Sequence, residues 1–128
     1  GWSIYIAFVE RPGGDGLIRI GASTEPLRRM YMLHRDGAHA IGAGLWSHIG
    51  SQSQAVRAEK ALKRRFADRQ VEGGWFAFDL RSTRDKTMFH TACRAACARA
   101  TGELPQWRKA NLEQMRIAAE LSSPSFRA

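Results

Sequence analysis

Residues 3–21 restrict the fold most: two alternating apolar runs, Ser3-Ile4-Tyr5-Ile6-Ala7-Phe8-Val9 and Leu17-Ile18-Arg19-Ile20-Gly21, joined by a glycine-rich loop. β-Branched and aromatic residues at a period of two are the pattern of a strand, because successive side chains leave a strand on opposite faces. Ile4, Ile6 and Phe8 therefore share one face with Ile18 and Ile20, provided the turn from Arg11 to Gly16 closes an antiparallel hairpin. Tyr5 and Arg19 share the other face with the small residues Ser3, Ala7 and Gly21. A phenol and a guanidinium among small side chains predict a shallow cleft there rather than a packed core.

The hairpin accounts for a fraction of a chain of 128 residues and 14.3 kDa, a length that fits one compact domain with extensions. No apolar run approaches the roughly 18 residues of a membrane span, and the first residues lack the charged-then-apolar pattern of a secretion signal. A cytoplasmic location is the expectation. Cys93 and Cys97 stand four apart in a helical pattern, on one helix face, which disfavours a structural disulfide. The net charge of +8 and pI near 10.5, with arginine well ahead of lysine, favour a polyanionic partner, with nucleic acid as the leading class.

Beyond the hairpin, Ser23-Thr24-Glu25-Pro26 predicts a helix start, and Leu27, Met30, Tyr31 and His34 form its sheet-facing stripe up to Asp36-Gly37. Arg29 falls outside that stripe. Leu45 to Ile49 alternates and predicts a third strand. A second helix, from Ser51 or Ser53 to about Ala67, carries Ala55, Leu62 and Phe66 on one face with Glu59 among them. A carboxylate on an apolar face is costly unless a cation meets it, so an arginine or a metal ion is expected beside it. Trp75 to Phe78 predicts a short closing strand or extended segment. Ser82-Thr83-Arg84-Asp85 predicts the cap of a helix ending at Thr101-Gly102, and Pro105 predicts a last helix to about Leu121 with Trp107, Ala110, Ile117, Ala118 and Leu121 inward. The fold class expected is α+β, with a small antiparallel sheet of about three strands flanked by helices.

Taken together, Ile4-Tyr5-Ile6, Ile18-Arg19-Ile20-Gly21, Arg29 and Glu59 resemble the motifs of the GIY-YIG nuclease superfamily. More narrowly, residues 18–29, the run from Ala58 to Phe66 and Gly73-Gly74-Trp75-Phe76 resemble its compact phage and bacterial branch. The resemblance covers residues 2 to about 80, so it implies a nuclease core over 1–80, a two-helix extension over 81–122 packed on it, and a flexible tail over 123–128. It also implies an endonuclease that hydrolyses phosphodiester bonds in DNA with one divalent metal ion, magnesium or manganese. By position, Tyr5 would activate or position the attacking water, Gly21 would allow close backbone approach, Arg29 would contact the phosphate and Glu59 would bind the metal. Arg19 stands where the second motif has tyrosine, and a cation there is expected to lower the Tyr5 pKa from about 10. Lys63 stands where the branch often has histidine, and Gly74 where it often has glutamate. Arg28, Lys63 and Arg64 are the expected phosphate contacts. A catalytically inactive nucleic-acid-binding module of the same fold is the alternative. His34 and His48 read as packing or surface residues, and His90, Cys93 and Cys97 as core packing rather than part of a zinc site.

Overall fold

The structure is a computed structural model that describes residues 1–11 and 15–122. Strands β1 (Trp2–Glu10) and β2 (Asp15–Ser23) pair antiparallel, with Tyr5 opposite Gly21, Ile6 opposite Ile20 and Phe8 opposite Ile18. The Arg11 N–H donates to the Asp15 carbonyl at 2.9 Å as the strands converge. Residues 12–14 of the expected turn lie outside the described residues. β3 (Ala43–Gly50) pairs with the other edge of β1.

The expectation of about three strands is incorrect: β4 (Gln70–Glu72), β5 (Trp75–Asp79) and β6 (Arg108–Asn111) extend the sheet to six strands in the order β4-β5-β2-β1-β3-β6, all antiparallel. The overall class remains α+β. β4 is exposed at every position, so it carries no apolar alternation to read. β6 was expected to be the start of a helix from Pro105. Instead Arg108 to Asn111 pair with the free edge of β3, and Asn111 caps α4 (Leu112–Leu121) by a reciprocal box with Gln114. The edge pairing satisfies backbone groups that a longer helix would have left open on β3.

α1 (Pro26–Asp36) starts with proline in its first turn, where a missing N–H is harmless, and Ser23 Oγ accepts from the Glu25 N–H at 3.0 Å just before it. α2 (Gln52–Arg65) is capped by Ser51 in a box with Gln54, and a 3₁₀ turn, Ala67–Arg69, leads from it to β4. α3 (Thr83–Thr101) ends on Gly102, whose φ of 78° is the left-handed backbone that glycine adopts without a Cβ clash.

The sheet is covered on both faces. On one, Ile4, Ile6, Ile18, Ile20, Phe76 and Phe78 pack beneath α2 and α3, through Ala58, Leu62, Phe66, Cys93 and Cys97. Phe66, Phe78 and Phe89 meet there with ring centroids 5.0 to 5.6 Å apart, two of the three contacts edge-on, as ring quadrupoles favour. On the other, Tyr5, Ala7, Val9, Leu17 and Trp75 pack with Met30 of α1, Ala110 and Met115. The face expected to be a shallow cleft is thus largely a second core, because α1 and α4 pack on each other over it. The end near Tyr5 and Arg19 keeps charged groups.

Candidate active site

Tyr5 is the centre of that end. Its side chain is 3% exposed, and it lies directly across the ladder from Gly21. A Cβ at Gly21 would run into the Tyr5 ring and hydroxyl, so the phenol lies flat on glycine backbone. That contact explains the residue type at 21 without any appeal to catalysis.

Three charged groups surround the phenol. Arg29, on the first half of α1 and exposed to solvent, lies close enough to the hydroxyl to act on it, as do Arg19 and Glu59. Arg29 falls at this spot because the apolar stripe of α1 turns Pro26 and Met30 inward and leaves Arg29 at the rim. Arg19, one ladder position from Gly21 on the same face, lies 5.6 Å from the Trp75 ring centre. Its guanidinium also covers Gly74, where a Cβ would come within 3.1 Å of Arg19 Cζ. Absence of a side chain at 74 therefore makes room for Arg19.

The expectation that a cation lowers the Tyr5 pKa fails. Burial pushes the phenol above its ordinary value of 10.0, and Arg29 and then Arg19 offset only part of that effect, while Glu59 adds to it. Tyr5 is therefore a protonated phenol at neutral pH. Its hydroxyl keeps its proton and carries no charge.

Glu59 reaches the group from α2. Its neighbours on the stripe, Ala55, Leu62 and Phe66, are buried, whereas its own side chain is 19% exposed and is held by Lys63 Nζ at 2.7 Å, one turn along the helix. The side-chain cation beside Glu59 is thus a lysine, Lys63, rather than an arginine. Arg28 pairs with Glu25 at 3.7 Å on the outer side of α1, and Arg64 is exposed on α2. The structure accordingly brings Tyr5, Gly21, Arg19, Arg29 and Glu59 into one neighbourhood, with Lys63 tied to Glu59 and with Arg28 and Arg64 on the surface nearby in sequence.

Among the described residues no three histidine, cysteine, aspartate or glutamate side chains gather as a metal cage. Magnesium and manganese do not need one: a hard cation that keeps most of its water takes one or two carboxylates and substrate oxygens. The exposed edge of Glu59 fits that donor set once Lys63 releases it. Cys93 and Cys97 are free, buried thiols of the core under α3, with pKa values raised by burial. A cavity of about 960 Å³ lies elsewhere, between Ile6, Phe8, Ile18 and Phe78 of the sheet and Phe89 of α3. Its walls are mainly apolar, so the charged group at Tyr5 is the better candidate for chemistry.

Sequence reasoning missed Trp46 and Arg108. Trp46 is the cross-strand neighbour of Tyr5 on β3, and Arg108 Cζ lies 5.2 Å from its ring centre. The alternation of β3 was a signal for Trp46, but nothing in Arg108-Lys109-Ala110-Asn111 marks a strand.

Residues 3–97 match the T5orf172 domain. The chain belongs to the T5orf172 domain family. This domain is phage-associated and occurs in some nuclease-like proteins. The match takes in β1 to β5 and most of α3, and so includes Tyr5, Arg19, Gly21, Arg29, Glu59 and Lys63. No curated protein and no solved structure matches the chain. Membership is compatible with a nuclease-like or DNA-binding role. No helix among the described residues is long and apolar enough to cross a membrane.

Proposed function

We propose that this T5orf172 domain is a divalent-metal-dependent endonuclease of the GIY-YIG type that hydrolyses phosphodiester bonds in DNA. The observation that carries the reading is the convergence of Arg29, Arg19 and Glu59 on one buried phenol laid over Gly21. A phenol, a guanidinium and an acid drawn from a strand and two different helices have no shared packing reason to meet.

The roles follow from their chemistry. Arg29 is exposed and carries a planar fork that binds two phosphate oxygens at once, so it holds the scissile phosphate and offsets the charge that builds on it. Tyr5 keeps its proton, so its oxygen accepts from the attacking water while its O–H donates to phosphate; it orients the water and does not act as the base. Arg19, held against Trp75, maintains positive potential beside the phenol. Glu59 would hold magnesium or manganese, which when bound lowers the pKa of coordinated water and polarises the phosphoryl group. Arg28 and Arg64 contact backbone phosphates along the strand and fix its position without reading sequence.

The test is nicking of supercoiled plasmid with magnesium or manganese by the intact chain and by folded Arg29→Ala and Glu59→Gln variants. Removal of one preorganised charge from such a site is expected to cost about 100-fold or more in rate. Unchanged cleavage in both variants would sink the proposed site.

A second reading is favoured by one feature, the closed Lys63–Glu59 pair. In it the domain binds nucleic acid through its basic surface and does no chemistry. Salt-sensitive DNA binding without metal-dependent cleavage selects that reading.

A further inference from the structure

One ladder row crosses four strands: Gly21 on β2, Tyr5 on β1, Trp46 on β3 and Arg108 on β6, each directly opposite the next and all on the same face. Directly paired residues have Cβ atoms about 5 Å apart, so Trp46 leaves the sheet next to Tyr5 while the phenol itself leans the other way, over Gly21. Trp46 is partly exposed and packs one side against the Met30 and Met115 core, while Arg108, fully on the surface of the edge strand, lies over its ring. Trp75 also meets an arginine, but it is 6% exposed and is closed by Arg19 on one side and by the edge-on His39 ring, 5.2 Å away, on another. Trp75 is sealed, whereas the Trp46 and Arg108 pair is open to solvent next to the candidate active site.

A partly exposed indole with an exposed guanidinium over it presents a flat, cationic surface. It suits a nucleobase, whose π face stacks on either group, and its charge suits the adjoining phosphate. A base inside a duplex is already stacked on its neighbours and cannot use such a surface. We infer that Trp46 and Arg108 form a stacking platform for an unpaired nucleobase next to the phosphate held by Arg29, which makes single-stranded or locally unpaired DNA the preferred substrate. The inference rests on the endonuclease reading for the identity of that phosphate, but the stacking itself needs no chemistry.

The experiment therefore measures binding with EDTA present, so that cleavage plays no part. A labelled short oligothymidylate and the duplex it forms with its complement are titrated with the intact chain and with Trp46→Phe, Trp46→Leu and Arg108→Ala variants at one salt concentration. The intact chain is expected to prefer the single strand; Trp46→Leu is expected to lose about tenfold on the single strand with little change on the duplex, and Trp46→Phe to keep most of the preference. Arg108→Ala, at an exposed edge position that does not threaten folding, is expected to lose the same preference even if Trp46→Leu does not fold. Equal losses on both forms, or no loss on the single strand, overturns the platform. Plasmid nicking by the same preparations separates the two ideas, since a stacking platform survives in a chain that binds single strands and never cleaves, and cleavage with no role for Trp46 or Arg108 leaves the nuclease reading without this one.

Discussion

Lys63 occupies the carboxylate that the proposed chemistry needs. Its ammonium lies 2.7 Å from Glu59 Oε2, and the pair is only partly shielded from water, with the lysine 39% exposed. An exchange of partners is therefore inexpensive, because a half-exposed ion pair is worth no more than about 1 kcal/mol. Lys63→Ala is expected to tighten manganese binding by up to about fivefold, read as paramagnetic relaxation of bound manganese, and Glu59→Gln to abolish it. Binding that Glu59→Gln leaves unchanged would show that the ion does not use Glu59. The buried thiols make a second residue-level prediction. Burial pushes the Cys97 pKa from 9.0 up to about 11, and Cys93 rises too. The folded state then holds these protons more tightly than the unfolded chain, so this stabilisation is complete below about pH 9 and is lost as pH rises through about 11. Urea midpoints of the intact chain should fall more steeply between those limits than those of Cys97→Ala, and iodoacetamide should leave both thiols unmodified in the native state at neutral pH.

At the scale of elements, α3 is fastened to the sheet at its first turn. Asp85 accepts from both Arg69 nitrogens, at 2.9 and 3.3 Å, and from the Asp79 N–H at 3.0 Å, while its own N–H donates to the Ser82 hydroxyl at 3.2 Å. The Arg69 guanidinium, itself 4.5 Å from the Phe78 ring centre, holds the Asp85 carboxyl below the usual range. One carboxylate thus joins the 3₁₀ turn, the end of β5 and the start of α3. Asp85→Asn keeps the shape and loses the charge, with an expected cost of about 1–3 kcal/mol in chemical denaturation. Because the folded-state pKa is lowered, this contribution is present above the ordinary aspartate value of 3.8 and fades as pH falls below it, so the variant and the intact chain should converge in acid. The sequence allowed this helix start to be read, since Ser82 and Asp85 have cap spacing. It did not reveal that Asp85 turns to Arg69 and Asp79 instead of back to the cap residue, because those partners depend on the packing of α3 against β5. In the same way β1, β2, β3 and α1 to α3 were legible from alternation and helical stripes. β4 and β6 were not, since each is short, polar and defined only by the edge it pairs with.

For the whole molecule, the two-sided covering of the sheet determines what kind of site it can hold. A face covered by α1 and α4 buries Tyr5 almost entirely, which raises its pKa and leaves Arg29 at the exposed rim. The sequence placed Tyr5, Gly21, Arg29 and Glu59 by their spacing, but spacing carries no information on how deeply a face is covered, and so it gave the wrong sign for the phenol. The account's central claim is that Arg29 and Glu59, on separate helices, act on one phosphate. Groups acting as a unit lose their effect together, whereas independent groups lose it multiplicatively. The direct measurement is the metal-dependent nicking rate of the intact chain, Arg29→Ala, Glu59→Gln and the double variant, each shown to be folded. The account predicts that either single change removes about 100-fold or more and that the double variant is scarcely slower than the worse single one. Losses that multiply in the double variant, or a single variant that still cleaves at the intact rate, would contradict it.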